Sequence, residues 1–242
     1  MLLLIDGILK FLSDKIREKS AVIGLSGGVD SSLVLTLLSR VLEKEKIIGV
    51  YMPDLKSPPE DLEDVDKICR FNNVSFRTIN IEGILNQYKQ ALKIEEPATI
   101  GNMKSRIRMS ILYSIANSSN GIVVGTTNKS EYLTGYFTKY GDGGCDIEPI
   151  IGLYKTQVWE LSSQLGLPAS IINKKPSARL WESQTDEDDL GISYVDLDKT
   201  LIYFQENGEF PNNREGKIVS RLYLSSLHKR KMPYNPEEDP AS

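Results

Sequence analysis

Histidine occurs once and cysteine twice in the 242 residues, at His228, Cys69 and Cys145. So sparse a set argues against a histidine- or cysteine-rich metal centre. Two cysteines far apart in sequence form neither a CxxC pair nor a disulfide framework, which suits a reducing compartment and points to the cytoplasm. Long apolar runs are missing as well, and nothing approaches the ~20 residues of a membrane span. The opening Met1-Leu2-Leu3-Leu4-Ile5 is interrupted by Asp6 and followed by no small-residue cleavage site, so it starts a helix rather than a signal peptide. Basic charge is also in short supply: 29 Lys and Arg against 33 Asp and Glu leave a net charge of −4, which is not the balance of a nucleic-acid binder. Core material, by contrast, is plentiful. With 40% hydrophobic residues the chain can bury one sizeable core, and a single domain over 1–242 is the natural organisation.

The chemistry-bearing stretch is Gly24-Leu25-Ser26-Gly27-Gly28-Val29-Asp30-Ser31-Ser32. It follows Ala21-Val22-Ile23, a short buried-strand pattern, and precedes Leu33-Val34-Leu35 with Leu37, Leu38, Val41 and Leu42, which reads as a helix with an apolar face. Strand, glycine turn and helix bring backbone N–H groups and a helix N-terminus to bear on an anion. Gly27 and Gly28 allow close backbone approach, and the serines add hydroxyl donors. No Lys-Ser/Thr closes the loop, so it is not a Walker A loop. Asp30 stands in the cradle instead, and a carboxylate beside phosphates suits an intervening Mg²⁺. An ordinary Gly-Gly turn is the plain alternative.

Along the chain, Leu4, Ile5, Ile8, Leu9, Leu12 and Ile16 recur at helical spacing and predict a helix over 2–19. Further strands are expected at 47–52, 74–79 and 121–125. Helices are expected at 60–72, with Leu62, Val65, Ile68 and Cys69 facing inward, and at 84–93 and 99–117. Alternating strands and helices imply a parallel sheet covered on both faces. Right-handed crossovers give the order 3-2-1-4, with its reversal between strands 1 and 4. Ligands bind beyond the carboxyl ends of the strands at such a reversal, so Gly24–Ser32 should face whatever follows Gly125. That segment, from Thr126 to Asp146, is polar and glycine-rich. Glu131 can supply a second carboxylate to the metal, and Thr126 is placed to hydrogen-bond a nucleotide. A solvated loop with a helix cap at Ser130 is the bland alternative.

Ser26-Gly27-Gly28-Val29-Asp30-Ser31 resembles the SGGxDS pyrophosphate loop of N-type ATP pyrophosphatases. By itself the loop leaves amide-forming, argininosuccinate synthetase-like and tRNA-thiolating enzymes open. The segment GTTNKSEYLTGYFTKYGDGGCD, residues 125–146, is similar to the one with which NAD synthetases close over ATP and deamido-NAD. So are Asn102–Met109, Leu153–Val158, Pro176–Leu180, Gln184–Glu187 and His228–Arg230, in family order from residue 24 to 230.

This resemblance implies a three-layer α/β/α fold, adenine nucleotide alpha hydrolase-like and Rossmann-like, and ammonia-dependent synthesis of NAD, AMP and pyrophosphate. Gly24, Leu25, Ser26, Gly27, Gly28, Val29, Asp30, Ser31, Thr126, Lys155 and Ser177 would hold ATP, and Asp30 and Glu131 would hold Mg²⁺. Asp30 and Lys155 would carry the catalysis, while Arg106, Lys139, Asp146, His228 and Lys229 would bind deamido-NAD. A homodimer, with the dinucleotide site near the subunit interface, is implied too.

Each of these has a plainer reading. Lys155 opens a helix over 156–165 and could be a surface lysine, His228 ends a helix over 214–227, and Arg106 and Arg108 could simply be solvated. Arg179 stands where the family usually has an acidic residue. The stretch 173–190 lacks a clear period and reads as a mobile lid, and 233–242 as a loose tail. The sheet begins by residue 21, which leaves no expectation of an upstream glutaminase domain. A tRNA-thiolating enzyme would want a cysteine pair and a basic surface. A nucleotide sensor without turnover would not need the two carboxylates.

Overall fold

The computed structural model describes residues 2–177, 185–231 and 233. Residues 178–184 of the expected lid, Arg179 among them, and 234–242 of the expected tail lie outside the described residues. The elements run α1 (Leu2–Ile16), β1 (Ser20–Leu25), α2 (Val29–Leu38), β2 (Ile47–Tyr51), α3 (Pro59–Phe71), β3 (Phe76–Thr78), α4 (Glu82–Leu92), α5 (Pro97–Ser118) and β4 (Gly121–Val124). Then follow α6 (Lys129–Thr134), α7 (Lys155–Gln164), α8 (Ala169–Ile172), α9 (Asp186–Leu190), α10 (Tyr194–Asn207) and α11 (Arg214–Ser225).

The four strands pair in parallel in the order β3-β2-β1-β4, as right-handed crossovers require. Side chains alternate across β1. Ala21, Ile23 and Leu25 join a core built by α1, α2, α3, α7 and α8, and Val22 joins the opposite one with α4 and α5. A third apolar cluster, around Tyr194, Leu197, Leu201 and Val219, binds α10 and α11 together.

Two local expectations are corrected. Helix α2 does not present one apolar face; every residue except Asp30 is buried, because α1, α7 and α8 pack against it from sides the sheet leaves open. In α3, Leu62 is 43% exposed while Asp61 and Asp64 are buried. Lys174 explains the exchange: its Nζ lies 2.8 Å from Asp61 and 2.6 Å from Asp64, so both carboxylates enter the fold paired. At the C-terminal side of 173–190, where the sequence shows no clear period, Asp186–Leu190 forms a helix. Leu190 is buried there, in the third cluster, and the Asp186 N–H bonds Pro176 O at 3.0 Å.

Candidate active site

A cavity of about 480 Å³ opens at the carboxyl ends of β1, β2 and β4, the size of a small-ligand site at the place where the strand order reverses. The loop after β1 forms its floor. Gly27 has φ +75°, and a Cβ there would lie 2.8 Å from Asp61 O, so only glycine makes this turn. Serine hydroxyls brace it: Ser26 Oγ accepts from Gly28 N–H at 3.2 Å, and the Ser31 and Ser32 hydroxyls donate to Gly28 O at 3.1 and 2.8 Å. Gly28, the N-cap of α2, supplies no side-chain cap. The first-turn N–H groups therefore stand ready for an anion.

Opposite the loop, Asn128 caps α6 in a capping box: its side chain accepts from Glu131 N–H, and Glu131 accepts from Asn128 N–H. The cap is thus Asn128, not Ser130. The Ser130 hydroxyl is buried and bonds Asp198. Asn128 Nδ2 also reaches across to Asp30 Oδ1, 2.9 Å away, so one side chain ties the two facing segments together.

Lys155, the first residue of α7, closes the arrangement. Its Nζ lies 2.5 Å from Asp30 Oδ2 and 3.3 Å from Glu131 Oε1. The three side chains are 3%, 17% and 16% exposed, so Lys155 is no surface lysine. Asp198 sets its position: Thr156 N–H donates to Asp198 at 2.9 Å, and Lys155 N–H donates to Ser130 Oγ at 2.9 Å. Burial works against the Lys155 charge, but the Asp30 and Glu131 carboxylates hold its ammonium above the ordinary value. Burial works against the Glu131 charge as well and raises its carboxyl, with the Lys155 ammonium pulling the other way, and it raises Asp186, which accepts the Tyr194 hydroxyl at 3.0 Å.

Of the residues singled out in the sequence, Gly24, Leu25, Ser26, Gly28, Val29, Asp30, Ser31, Thr126, Glu131, Lys155, Ser177 and Lys229 line the cavity. Gly27 shapes the loop from behind. Arg106, Lys139, Asp146 and His228 are not in the cavity wall. Three of them are contiguous: Arg106 Nη2 bonds Lys139 O at 3.4 Å and Lys139 Nζ bonds His228 O at 2.6 Å. His228 is exposed in a 3₁₀ turn beyond α11. Asp146 instead holds the loop to the sheet, accepting Val123 N–H at 2.7 Å and the Tyr113 hydroxyl at 3.2 Å.

Sequence reasoning passed over Asn128, Asp198, Lys174 and Glu148. Asn128-Lys129-Ser130-Glu131 does carry a capping-box signature. The others act through partners far along the chain and leave no local signal. Glu148 accepts Thr127 N–H at 3.1 Å, and burial pushes its carboxyl up to about 7.

The sequence pattern of the family described as NAD synthase matches residues 4–233. The NH(3)-dependent NAD(+) synthetase of Thermoplasma volcanium is 46% identical over 235 residues, covering 97% of each chain. Among solved structures, the NH3-dependent NAD synthetase of Campylobacter jejuni superposes with a TM-score of 0.83 at 30% identity, covering 97% of this chain and 98% of that one. The NMN synthetase of Francisella tularensis does so with a TM-score of 0.87 at 32% identity, covering 96% and 97%.

Proposed function

Because the chain belongs to the NAD synthase family, we propose that this cavity amidates the nicotinate carboxyl of deamido-NAD with ammonia, cleaving ATP to AMP and pyrophosphate and yielding NAD. The observation that carries the reading is Lys155 held between Asp30 and Glu131 beside an uncapped helix N-terminus. The deamido-NAD carboxylate attacks the α-phosphorus of ATP, the bond to the bridging oxygen breaks, and pyrophosphate leaves. Ammonia then adds to the activated carbonyl, loses a proton and expels AMP. The loop N–H groups and the Ser26 hydroxyl bind the phosphates, Ser31 bracing the loop through Gly28 O, and Lys155 takes up charge on the leaving pyrophosphate. No side-chain nucleophile takes part.

The donor set fits Mg²⁺. Asp30 and Glu131 offer hard oxygen ligands side by side on Lys155, and a bound dication would favour their carboxylate forms. Mg²⁺ is commonly held by one or two carboxylates plus phosphate oxygens. Bound there, it would neutralise charge on the polyphosphate. Thr126 and Ser177 complete the ATP contacts from the cavity wall.

For deamido-NAD, Lys229 touches the cavity, and the contiguous patch of Arg106, Lys139 and His228 supports the reading that the far half of the dinucleotide lies outside it. Asp146 belongs to this set by resemblance. A cytoplasmic homodimer is part of the proposal. Supporting it are the free Cys69 and Cys145 and the exposed apolar stripe Ile84, Tyr88 and Leu92 along α4. No helix among the described residues is long and apolar enough to cross a membrane. Likeness to an NMN synthetase makes the corresponding mononucleotide the rival acceptor. The dinucleotide is favoured by relatives named NH(3)-dependent NAD(+) synthetase at 46–48% identity. Incubation with ATP, Mg²⁺, ammonium and either acceptor tests both readings. Faster NAD formation from deamido-NAD is expected, and preferential amidation of the mononucleotide would replace the proposal.

A further inference from the structure

Most cations lining the cavity are already engaged. Lys155 is paired with Asp30 and Glu131, Lys174 with Asp61 and Asp64, and Lys229 donates to the carbonyls of Gly135 and Phe137 at 2.7 and 2.9 Å. Lys175 is exposed at the rim. Arg108 differs. It is half-buried in the cavity wall, and its one hydrogen bond among the described residues runs from Nε to Met52 O, at 3.0 Å. Among the described residues its terminal amino groups bond no partner. The acids around it are committed elsewhere: Asp54 to Lys104 at 2.5 Å, Asp61 to Lys174, and Asp142 to the Ser105 hydroxyl and Thr138 N–H.

We propose that Arg108 is an ATP-binding residue whose terminal amino groups take phosphate oxygens of the nucleotide from the β2 side of the cavity, facing Lys155 on the β4 side. A guanidinium fork matches a phosphate bidentately, and the bond to Met52 O fixes the fork without using its terminal donors. Asp54, Asp142 and Asp61 act on the guanidinium through space, yet among the described residues none bonds its terminal donors, and half-buried donors left without an acceptor are costly until one meets them. Position favours ATP over the acceptor. Met52 follows β2, which pairs with β1 directly before the phosphate loop. Arg106, two residues earlier on α5 and therefore on another side of the helix, points instead to Lys139 and the outer patch. This inference rests on the function proposed above.

The test is equilibrium binding of Mg-ATP and, separately, of deamido-NAD to wild type, Arg108→Met and Arg108→Lys, with thermal unfolding to verify the fold and steady-state kinetics alongside. Arg108→Met is expected to weaken ATP binding by about 10- to 100-fold, with KM for ATP rising in parallel and deamido-NAD affinity unchanged within threefold. Arg108→Lys, which keeps the charge but loses the fork, should fall between. If Arg108→Met does not fold, Arg108→Lys decides by the same criterion, with a loss of at least threefold required. ATP affinity unchanged in a folded variant overturns the proposal, and so does a loss confined to deamido-NAD. Failure of the wild type itself to bind ATP would instead strike the functional reading beneath it.

Discussion

Replacing Lys155 by Met removes the one cation that, among the described residues, is bonded to the Asp30–Glu131 pair, while keeping much of the side chain's bulk. Asp30 would retain its bond from Asn128 Nδ2 and Glu131 its bond from Asn128 N–H. Neither would keep a counter-charge, in a site where the carboxylates are only 17% and 16% exposed. Breaking a buried pair from one side costs about 3–5 kcal/mol. For a chain of this size each kcal/mol lowers the melting temperature by about 2–4 °C, so a fall of roughly 6–20 °C is expected in metal-free buffer. Two carboxylates without their lysine make a stronger cation site, so millimolar Mg²⁺ should recover part of that loss in the variant and do less for wild type. Loss of the charge facing the leaving pyrophosphate should lower kcat by about 10²- to 10³-fold. Melting curves with and without Mg²⁺, read beside steady-state rates, measure all three effects. A variant that melts within 1 °C of wild type and turns over normally would refute the reasoning, since Lys155 would then be neither a counter-ion nor a catalytic group.

Asp198→Ala leaves the Ser130 hydroxyl and Thr156 N–H without their buried acceptor. It should cost about 2–4 kcal/mol and lower kcat by releasing the start of α7; intact kcat in the folded variant would show that Lys155 is positioned otherwise. Glu148 carries a pH signature. Its folded carboxyl sits at about 7, above the ordinary 4.5, through burial, so its contribution is present below about pH 4.5 and is lost as pH rises through 7. Glu148→Gln should therefore match wild type near pH 4 and exceed it at pH 8 by up to about 3 kcal/mol, and equal unfolding free energies at both pH values would contradict this. Glutamine should not replace ammonium: burial pushes the Cys69 thiol up to about 12 and raises that of Cys145, so neither offers an activated nucleophile. Glutamine-dependent NAD formation by this chain in ammonia-free buffer would overturn that expectation.

What was legible in the sequence and what was not divide by range. Strand, glycine turn and helix around Ser26–Ser32 are local signals, and handedness then orders the sheet, which is why the cavity's position could be anticipated. The period-3.6 reading failed in α2 because Leu33 to Leu38 is apolar except for Thr36, and only tertiary packing says how many sides are covered. It failed at Leu62 because the residue that buries Asp61 and Asp64 is Lys174, on a distant segment. Asp30 and Glu131 could be placed on facing segments by topology alone. Their joint bond to Lys155, and the Asn128 bridge that aligns them, depend on side-chain geometry that no spacing encodes. Arg108 shows the same limit from the other side: polar neighbours on α5 make it read as solvated, whereas the fold turns it into the cavity wall.

The central claim, that the substrate carboxylate attacks the α-phosphorus of ATP in this cavity, is tested most directly by isotope transfer. Deamido-NAD labelled with ¹⁸O in both carboxylate oxygens would be turned over with ATP, Mg²⁺ and ammonium, and the products analysed by mass spectrometry. One label in the phosphate of each AMP, one retained in the amide of NAD and none in pyrophosphate is the predicted result. Label in pyrophosphate or inorganic phosphate, or unlabelled AMP, would contradict it.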